Sequence, residues 1–321
     1  MMPCMARDRT RRSRRAPGWP TAAGLAAGVL ADALLGDPQR AHPVALFGRA
    51  AAAFERRCYA DSRARGALFA ATCVSLAAGP FTARARPGTR LALVAACTWA
   101  VVGARSLTTE AERIRRALDA GDLHEARLML PSLCGRDPSG LDAAGIARGV
   151  VESLAENTSD AIVAPLLWGA LSGSGGLCGY RAVNTLDAMV GHHSPRYERF
   201  GWAAARLDDV ANWAPARLTA LLAAACAPLA GGRRGDAWRA AARDGPRHPS
   251  PNAGWCEAAF AGALGVRLGG TLSYEGRAED RPELGSGPGP EAADIARAIR
   301  LSRAVTAAAA ALTAAVALAG G

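Results

Sequence analysis

The feature that most constrains this chain is a set of long apolar runs, rich in alanine and glycine. There are six of them, each 13 to 19 residues long: Gly18–Leu35, Ala67–Ala83, Leu91–Gly103, Ala161–Gly179, Leu218–Gly231 and Ala304–Gly320. A membrane-spanning helix needs about 20 apolar residues, whereas runs of about 10–14 also suit buried helices of soluble proteins. Because the mean hydropathy is only +0.06, two interpretations stay open. We favour a membrane protein with several spans over an alanine-rich soluble helical protein.

Local sequence predicts an almost entirely α-helical fold. Polar and apolar residues do not alternate, and β-branched residues are sparse, so strand signals are weak throughout. Ala304–Gly320 is a good candidate for the last span, since alanine favours helix and small residues allow close packing in lipid. Residues 105–130 predict an amphipathic helix pair broken at Ala120–Gly121, with His124 on its surface. The Gly/Pro/acid-rich residues 276–293 predict a flexible loop. We therefore predict an all-α, polytopic membrane protein with interfacial and cytosolic polar helices and loops.

The formal charge of +10 is unevenly distributed, because residues 1–15 hold six arginines against Asp8. This cluster can be a secretory signal cleaved near Ala31–Ala33, a loose twin-arginine signal, or a cytoplasmic basic flank of a retained first helix. We favour the flank, because the sequence after the first run looks functional. We predict an Arg-rich N-terminal extension over residues 1–17 and one membrane domain over residues 18–321. A nucleic-acid partner is not expected, since arginines do not alternate with stacking aromatic residues.

Several kinds of site are excluded by residues that the chain lacks. The eight cysteines are widely spread and form no CxxC pair, so the sequence predicts neither a zinc site nor an iron–sulfur cluster. All 38 basic residues are arginine, and a P-loop needs lysine. GxSxG and HExxH motifs are also absent from the sequence. A nucleotide site would therefore have to use carboxylates, arginines and a metal ion.

The first polar constellation is a stiff turn that follows the first apolar run. Pro38 and Pro43 prevent a regular helix here, so Asp37, Arg40 and His42 are held on a rigid segment at a predicted membrane boundary. The alternative is a helix-terminating turn in which Asp37 caps the next helix. We favour a functional turn, because an unpaired histidine is unusual at such a place.

The second constellation is an acidic stripe. At about 100° per residue, Glu152, Glu156, Ser159 and Asp160 fall within about 100° of one another on a helix. Like charges at i,i+4 destabilise a helix by a few tenths of a kcal/mol. Such a stripe makes sense where a divalent cation binds, because Mg²⁺ prefers oxygen ligands. The alternative is a solvated acidic face.

Two further helical faces and one loop carry acids, amides and arginines. The first face holds Arg181, Asn184 and Asp187, and the second holds Arg206, Asp208, Asp209, Asn212 and Arg217. The proline-rich loop displays Arg243, His248, Ser250 and Asn252. Each pattern alone is weak, because such faces are often solvated and such loops are often linkers. Together they predict a helical, membrane-embedded enzyme that handles phosphate and Mg²⁺.

The motifs also match a known pattern in order. LLGDPxRxHPV begins at Leu34, ESLAENTSDAxVAP at Glu152 and YRAVNTLDAMVG at Tyr180; YxxFGxAAARLDDVANWxPARLT begins at Tyr197, and RDxxxHxSPNAG begins at Arg243. From about residue 24 to residue 303, the chain therefore resembles the adenosylcobinamide-phosphate synthases of cobalamin biosynthesis, also called the CbiB/CobD family.

The resemblance implies a polytopic membrane enzyme that uses ATP and Mg²⁺. It would join the free propionate carboxylate of adenosylcobyric acid to (R)-1-amino-2-propanol phosphate, or to ethanolamine phosphate in some relatives. The product would be adenosylcobinamide phosphate. The expected partners are these substrates, the lipid bilayer and other membrane-bound enzymes of cobamide assembly. A non-catalytic corrinoid-binding or transport protein is the competing class.

We assign the candidate residues to three roles within this hypothesis. The metal ligands would be Glu152, Glu156, Asp160, Asp208 and Asp209. Nucleotide and phosphate groups would be bound by Arg40, Arg181, Asn184, Asp187, Arg206, Asn212, Arg217, Arg243, Ser250 and Asn252. The catalytic candidates are Asp37, His42 and His248, with one histidine as the base for the attacking ammonium group.

The expected location is the cell membrane, with the active site on the cytosolic face, where ATP is. If the early runs all crossed the membrane and residue 18 lay inside, the motifs would alternate between the two sides. We therefore predict that Ala161–Gly179, which contains Pro165 and a Ser/Gly-rich centre, is re-entrant or buried inside the protein.

Overall fold

The computed structural model describes residues 18–37, 42–82, 85–135, 137–274 and 277–320. These residues form twelve α-helices and one two-stranded sheet, which confirms the predicted helical class. The helices are α1 (Trp19–Leu35), α2 (Pro43–Cys58), α3 (Arg63–Ala78), α4 (Pro87–Val101), α5 (Ala104–Asp119), α6 (Leu123–Met129), α7 (Ala143–Thr158), α8 (Ala164–Val190), α9 (Trp202–Cys226), α10 (Arg234–Asp244), α11 (Ala253–Leu264) and α12 (Ala292–Ala319). The strands β1 (Arg267–Tyr274) and β2 (Arg277–Gly285) lie between α11 and α12.

Five helical stretches of the described residues are long and apolar enough to cross a membrane. They are Arg63–Phe81, Pro87–Asp119, Ala143–Val190, Trp202–Ala230 and Ala292–Ala319, and the shorter helix α1 is also apolar. These lengths and compositions are those of a membrane protein, as the apolar runs predicted.

Helices α1 and α4 pack closely through small residues. A Cβ atom at Gly24 would lie 2.7 Å from the Cβ of Val94, and one at Gly28 would lie 2.4 Å from the Cβ of Thr98. Because these distances are too short for real Cβ contacts, glycine is required for the two backbones to approach so closely. The order of the two contacts also shows that α1 and α4 run parallel to each other.

Helix α8 doubles back on itself at Gly173, whose φ of +64° favours glycine. The side-chain amide of Asn184 lies 3.5 Å from a carboxylate oxygen of Asp160, although the two residues are 24 apart in the chain. On a straight helix they would be separated by about 36 Å. The chain therefore forms a helical hairpin with a first arm over residues 164–172 and a second arm over residues 174–190. The fourth apolar run therefore reverses and does not continue as one straight helix; its depth in the membrane stays a prediction.

The two ends of the bundle are defined by contacts of α1. At one end Gly18 packs against Ala317 of α12, which we call the Gly18 end. At the other, which we call the Asp160 end, the N–H of Arg105 donates to Asp32 Oδ2 at 3.1 Å. Helix α1 thus runs from the Gly18 end to the Asp160 end. Residue 18 and the motif residues near Asp160 therefore lie at opposite ends of α1. Which of these ends faces the cytosol stays a prediction.

A β-hairpin occupies part of the flexible loop predicted for residues 276–293. Strands β1 and β2 pair antiparallel, with Leu268 opposite Leu284 and both side chains fully buried. Glu152 Oε1 accepts a hydrogen bond from the N–H of Gly269 at 2.7 Å, and Arg148 Nη1 donates to the Gly269 carbonyl at 2.8 Å. The loop prediction was wrong because β2 is dense in charged residues, so its sequence shows no polar–apolar alternation.

The amphipathic helix pair predicted for residues 105–130 is confirmed. Helices α5 and α6 are separated at Gly121, whose φ is +72°. Asp122 caps α6 by accepting a hydrogen bond from the N–H of Glu125 at 2.9 Å. His124 is exposed, as predicted.

Candidate active site

A cavity of about 820 Å³ lies at the Asp160 end of the bundle. Its wall comes from the junction of α7 and α8, the end of the second arm of α8, the first half of α9, and the segment from residue 248 to residue 257. Seven acidic residues line it: Glu156, Asp160, Asp187, Glu198, Asp208, Asp209 and Glu257. Three arginines line it as well, Arg63, Arg206 and Arg281. Because acids outnumber arginines, the wall favours cations.

A π-helical turn, Ser159–Val163, forms the part of the wall that joins α7 to α8. Such turns are rare and occur frequently at functional sites. Pro165 has no N–H, so it cannot donate to the carbonyl of Ala161 as a regular helix would require. That carbonyl instead accepts a hydrogen bond from the N–H of Gly103 at 3.4 Å. The irregular turn thus also ties α7 and α8 to the end of α4.

The acidic stripe predicted on α7 is divided by the structure. Glu156 and Asp160 both line the cavity, as the helical spacing suggested. Glu152, one turn earlier, is buried and does not line it, and its carboxylate accepts the hydrogen bond from Gly269 of β1. The structure therefore brings two of these three acids to the candidate site and uses the third to hold the β-hairpin.

Two asparagines, one on α8 and one on α9, connect the carboxylate of Asp160 in the π-helical turn with that of Asp208 on α9. Asn184 Nδ2 lies 3.5 Å from Asp160 Oδ2 and 3.4 Å from Asp208 Oδ1, and Asn212 Nδ2 donates to Asp208 Oδ2 at 2.9 Å. Tyr180 Oη donates to Asn212 Oδ1 at 2.8 Å, and Asn212 is buried. These amide donors hold two carboxylates together in the cavity wall without neutralising them, which leaves negative charge available for a cation.

The proline-rich loop is ordered by its own side chains. His248 Nδ1 accepts a hydrogen bond from the N–H of Ser250 at 3.0 Å, and Ser250 Oγ accepts one from the N–H of Ala253 at 3.1 Å. Asn252 Nδ2 donates to the carbonyl of Asp209 at 2.8 Å, which fixes the loop to α9. Because Nδ1 of His248 is an acceptor here, a neutral ring carries its proton on Nε2. This arrangement suits His248 as a hydrogen-bond donor to an anion in the cavity.

The two arginines predicted on the α9 face differ in position, and Arg243, predicted in the proline-rich loop, lies in the last turn of α10. Arg206 lines the cavity and pairs with Asp209 at 3.2 Å. Arg217 lies outside the lining and stacks between Trp213 and Trp255, with ring-centroid distances of 4.9 and 5.0 Å. Its Nη1 donates to Asn252 Oδ1 at 2.7 Å, so it supports the proline-rich loop.

Arg243 also lies outside the cavity lining, where it pairs with a neighbouring acid. It donates to both carboxylate oxygens of buried Asp244 at 2.8 and 2.6 Å, and the N–H of Gly285 donates to the same carboxylate at 2.9 Å. The hydrogen bonds from Arg243 lower the pKa of Asp244. Arg243 and Asp244 thus hold the end of β2 against α10.

The first constellation forms a separate polar group at the same end of the bundle. His42 caps α2, where its Nδ1 accepts a hydrogen bond from the N–H of Val44 at 3.2 Å. Asp37 interacts electrostatically with Arg181, and Arg181 Nη1 lies 3.4 Å from Asn184 Oδ1. None of these three charged or titratable groups is in the lining of the acidic cavity. Arg40, the remaining candidate of this constellation, lies outside the described residues.

Several cavity residues were missed by the sequence analysis. Arg281 of β2 lies in the stretch predicted to be a loop, yet it lines the cavity and attracts Glu156 electrostatically. Arg63 begins an apolar helix, and no local pattern marks it. Cys256 was given no role by the sequence. It lines the cavity, but burial raises the pKa of its thiol, so it stays protonated near neutral pH.

The donor set of the cavity fits Mg²⁺ bound together with phosphate. Within the described ranges, no three His, Cys, Asp or Glu side chains are arranged to hold a metal ion by themselves. Mg²⁺ usually takes one or two carboxylates, and phosphate oxygens and water complete its coordination. The neighbouring carboxylates of Asp160 and Asp208 provide such a partial site, and Asp209 lines the same cavity.

Comparison with known proteins identifies relatives over nearly the whole chain. The family described as "CobD/Cbib protein" matches residues 25–302. "Cobalamin biosynthesis protein CobD" of Mycobacterium tuberculosis is 52% identical over 298 residues, which cover 92% of this chain and 95% of the relative. The proteins of the same name from Chromobacterium violaceum and Geobacter metallireducens are 46% and 45% identical, covering 85% and 80% of this chain and 89% and 84% of the relatives. No solved structure matches significantly.

Proposed function

Because the chain belongs to the CobD/CbiB family of cobalamin biosynthesis, we propose that it catalyses the ATP-dependent amide ligation that forms adenosylcobinamide phosphate. The substrates would be adenosylcobyric acid and an amino-alcohol phosphate. The observation that supports this proposal is the acidic cavity, in which carboxylates of α7, α8 and α9 meet three arginines. Such a wall suits a metal-bound triphosphate beside a phosphorylated amine.

The binding roles are divided among the residues that line the cavity. Asp160, Asp208 and Asp209 would hold Mg²⁺, which when bound would neutralise charge on the triphosphate. Arg206 and Arg281 would bind phosphate oxygens through charge-assisted hydrogen bonds. Asn184 and Asn212 position the carboxylates and need not contact a substrate, as their hydrogen bonds to Asp160 and Asp208 indicate. Glu152, Arg181, Arg217, Arg243, Asp37 and His42 have no place in this scheme, because they do not line the cavity.

The propionate carboxylate must be activated, since a carboxylate and an amine do not condense unaided in water. A propionate oxygen would attack the γ-phosphorus of ATP, the bond from that phosphorus to the bridging oxygen would break, and ADP would leave. The amine would then attack the acyl carbon, and inorganic phosphate would leave with the electrons of the carbon–oxygen bond. His248 would donate to a phosphate oxygen from Nε2, and Asp187 would accept the proton that the amine loses.

The proposal also sets the orientation of the protein in the cell membrane. ATP is cytosolic, so the Asp160 end would face the cytosol and the Gly18 end would face the opposite side. The acids gather at one end of the bundle rather than along a path through it, which favours an interfacial enzyme over a transporter.

The test is amide formation by the purified protein in phospholipid vesicles, measured as product by mass spectrometry and as ADP released. Asp208→Asn removes one carboxylate of the cavity and should lower the rate at least 100-fold. Asp119→Asn, at an exposed residue of α5 that pairs with Arg115, is the matched control and should leave the rate unchanged. Amide formation by Asp208→Asn at the wild-type rate would refute the assignment of the cavity. Corrinoid binding by wild-type protein without ATP consumption would support the non-catalytic class instead.

A further inference from the structure

A second, mostly apolar groove lies outside the acidic cavity, between α3 and α4. Its volume is about 540 Å³, and residues of all four surrounding helices line it. Leu76 and Phe81 come from α3 and its extension, Ala96 from α4, Val44 from α2 and Cys178 from α8. Both walls belong to stretches long and apolar enough to cross a membrane. The groove runs between these stretches from Val44, which lies just beyond the Asp160 end of α1, to Phe81, whose carbonyl accepts a hydrogen bond from Ser174 at the turn of α8.

The groove has a cationic end. Arg181 of α8 lines it, and the Nε atom of this arginine is buried without a hydrogen-bond partner among the described residues. An adjoining cavity of about 570 Å³ shares Arg181 and Val44 with the groove and is also lined by His42 and Arg49. Asp37 is the acid that faces Arg181 from this side. A buried guanidinium with an unsatisfied donor is costly, so this end is suited to an anion.

We propose that the groove binds an anionic phospholipid of the leaflet at the Asp160 end. One acyl chain would occupy the apolar groove, and the headgroup phosphate would lie against Arg181 and Arg49. The groove fits an amphipathic molecule, because its apolar lining suits an acyl chain and its basic end suits an anionic headgroup. Arginine also binds phosphate oxygens with more than one donor, which favours it over a single point charge for this role.

The dimensions of the groove separate a lipid chain from a helix of another protein. Along its floor, Cys178 to Thr185 of α8 spans about 10 Å at 1.5 Å per residue. A helix with side chains is about 10–12 Å in diameter, so two turns of one occupy roughly 850–1,200 Å³. The groove has about 540 Å³ and is open on one side, so it would take in only part of a helix, whereas a flexible chain fits within it. A helix of a second copy would also have to bring its own anion to Arg181.

The test uses the full-length protein purified in detergent and then placed in lipid nanodiscs. The discs contain either phosphatidylcholine alone or phosphatidylcholine with phosphatidylglycerol. Lipid that stays bound is measured by native mass spectrometry, and Tm is measured in parallel. We expect wild-type protein to retain one phosphatidylglycerol and to have a higher Tm in the discs that contain it.

Two variants test the two parts of the site separately. Ala96→Trp places a large side chain in the groove from an exposed position. Its control is Ala311→Trp, which adds the same side chain at an exposed position of α12. Lipid retention by Ala96→Trp should be at least tenfold lower than by Ala311→Trp. Arg49→Gln should lower the preference for phosphatidylglycerol at least threefold relative to Arg56→Gln on the same helix. Equal retention of both lipids by wild-type protein would overturn the proposal. The same is true if Ala96→Trp and Ala311→Trp retain lipid equally, or if inorganic phosphate alone reproduces the Tm shift.

Discussion

Substitution of Glu152 tests whether this residue is a metal ligand or a structural support of the β-hairpin. The sequence alone groups it with metal ligands, whereas the structure places it under the β-hairpin. Its side chain is 6% exposed and accepts a 2.7 Å hydrogen bond from the N–H of Gly269. A hydrogen bond to a charged group contributes about 1.5–3 kcal/mol, and a buried N–H left unsatisfied costs about 1–3 kcal/mol. Glu152→Ala should therefore favour local opening of the hairpin by about 2–3 kcal/mol, which is roughly a 30- to 150-fold change in the opening equilibrium. Glu152→Gln keeps an acceptor and should cost about 1 kcal/mol, or roughly fivefold.

The opening equilibrium is measured by hydrogen exchange of peptides that cover β1 and β2, with peptides of α12 as an internal reference. Asp208→Asn is the matched control, because Asp208 lines the cavity and its side chain contacts Asn184 and Asn212 and not the hairpin. It should lower the rate of amide formation at least 100-fold and leave exchange of the hairpin unchanged. Glu152→Gln should show the reverse pattern, with measurable activity and faster exchange. If instead Glu152→Gln abolishes activity and Glu152→Ala exchanges like wild-type protein, Glu152 acts in the cavity and our assignment is refuted.

Three further predictions follow from packing, charge and orientation. Gly28→Ala should destabilise the protein by about 1–3 kcal/mol and lower its Tm, because the new Cβ would clash with α4. Gly88→Ala is the control: no atom lies within 4 Å of its new Cβ, so Tm should stay unchanged. The hydrogen bonds from Arg243 lower the pKa of Asp244, so their stabilisation is present above the unfolded pKa of about 3.9 and is lost as pH falls through the lower folded value. Asp244→Asn should thus lower Tm at pH 7 by an amount that shrinks toward pH 3; a difference from wild type that is constant with pH would contradict this. Alkaline phosphatase fused after Gly320 should be enzymatically active, because this position would lie outside the cytosol. Green fluorescent protein fused at the same position should not fluoresce. The opposite pattern would reverse the proposed orientation.

Much of the helical architecture could be predicted from local sequence. The apolar runs give the spans, and Gly121 gives the break between α5 and α6, because each depends on residues close together in the chain. The acidic pair Glu156 and Asp160 also follows from helical spacing alone. The β-hairpin could not be predicted this way, since its stability comes from two buried leucines and from contacts with α7 that are over 100 residues away in sequence.

The candidate site shows the same division between local and long-range information. Sequence spacing identified Asn184, Asp187, Asp208 and Asn212 as members of functional faces, and all four lie in or directly behind the cavity wall. It also assigned the same kind of role to Arg217, which instead packs against tryptophans. Spacing shows which side chains share a face, but it cannot show whether that face meets a cavity or a neighbouring helix.

The sequence by itself determined the helical class, the membrane-length apolar stretches, the family and most of the polar residues that gather at one end of the bundle. These properties depend on residue type and on the fixed repeat of the helix, both of which can be read from neighbours in the chain. The sequence indicated an interruption within Ala161–Gly179, but only the tertiary structure placed the reversal of α8 at Gly173. Only the tertiary structure also decided that Arg281 enters the cavity and that Glu152 and Arg243 hold the β-hairpin. Those outcomes depend on which distant surfaces pack together, and the balance of burial and hydrogen bonding that selects among such packings is a property of the whole folded chain.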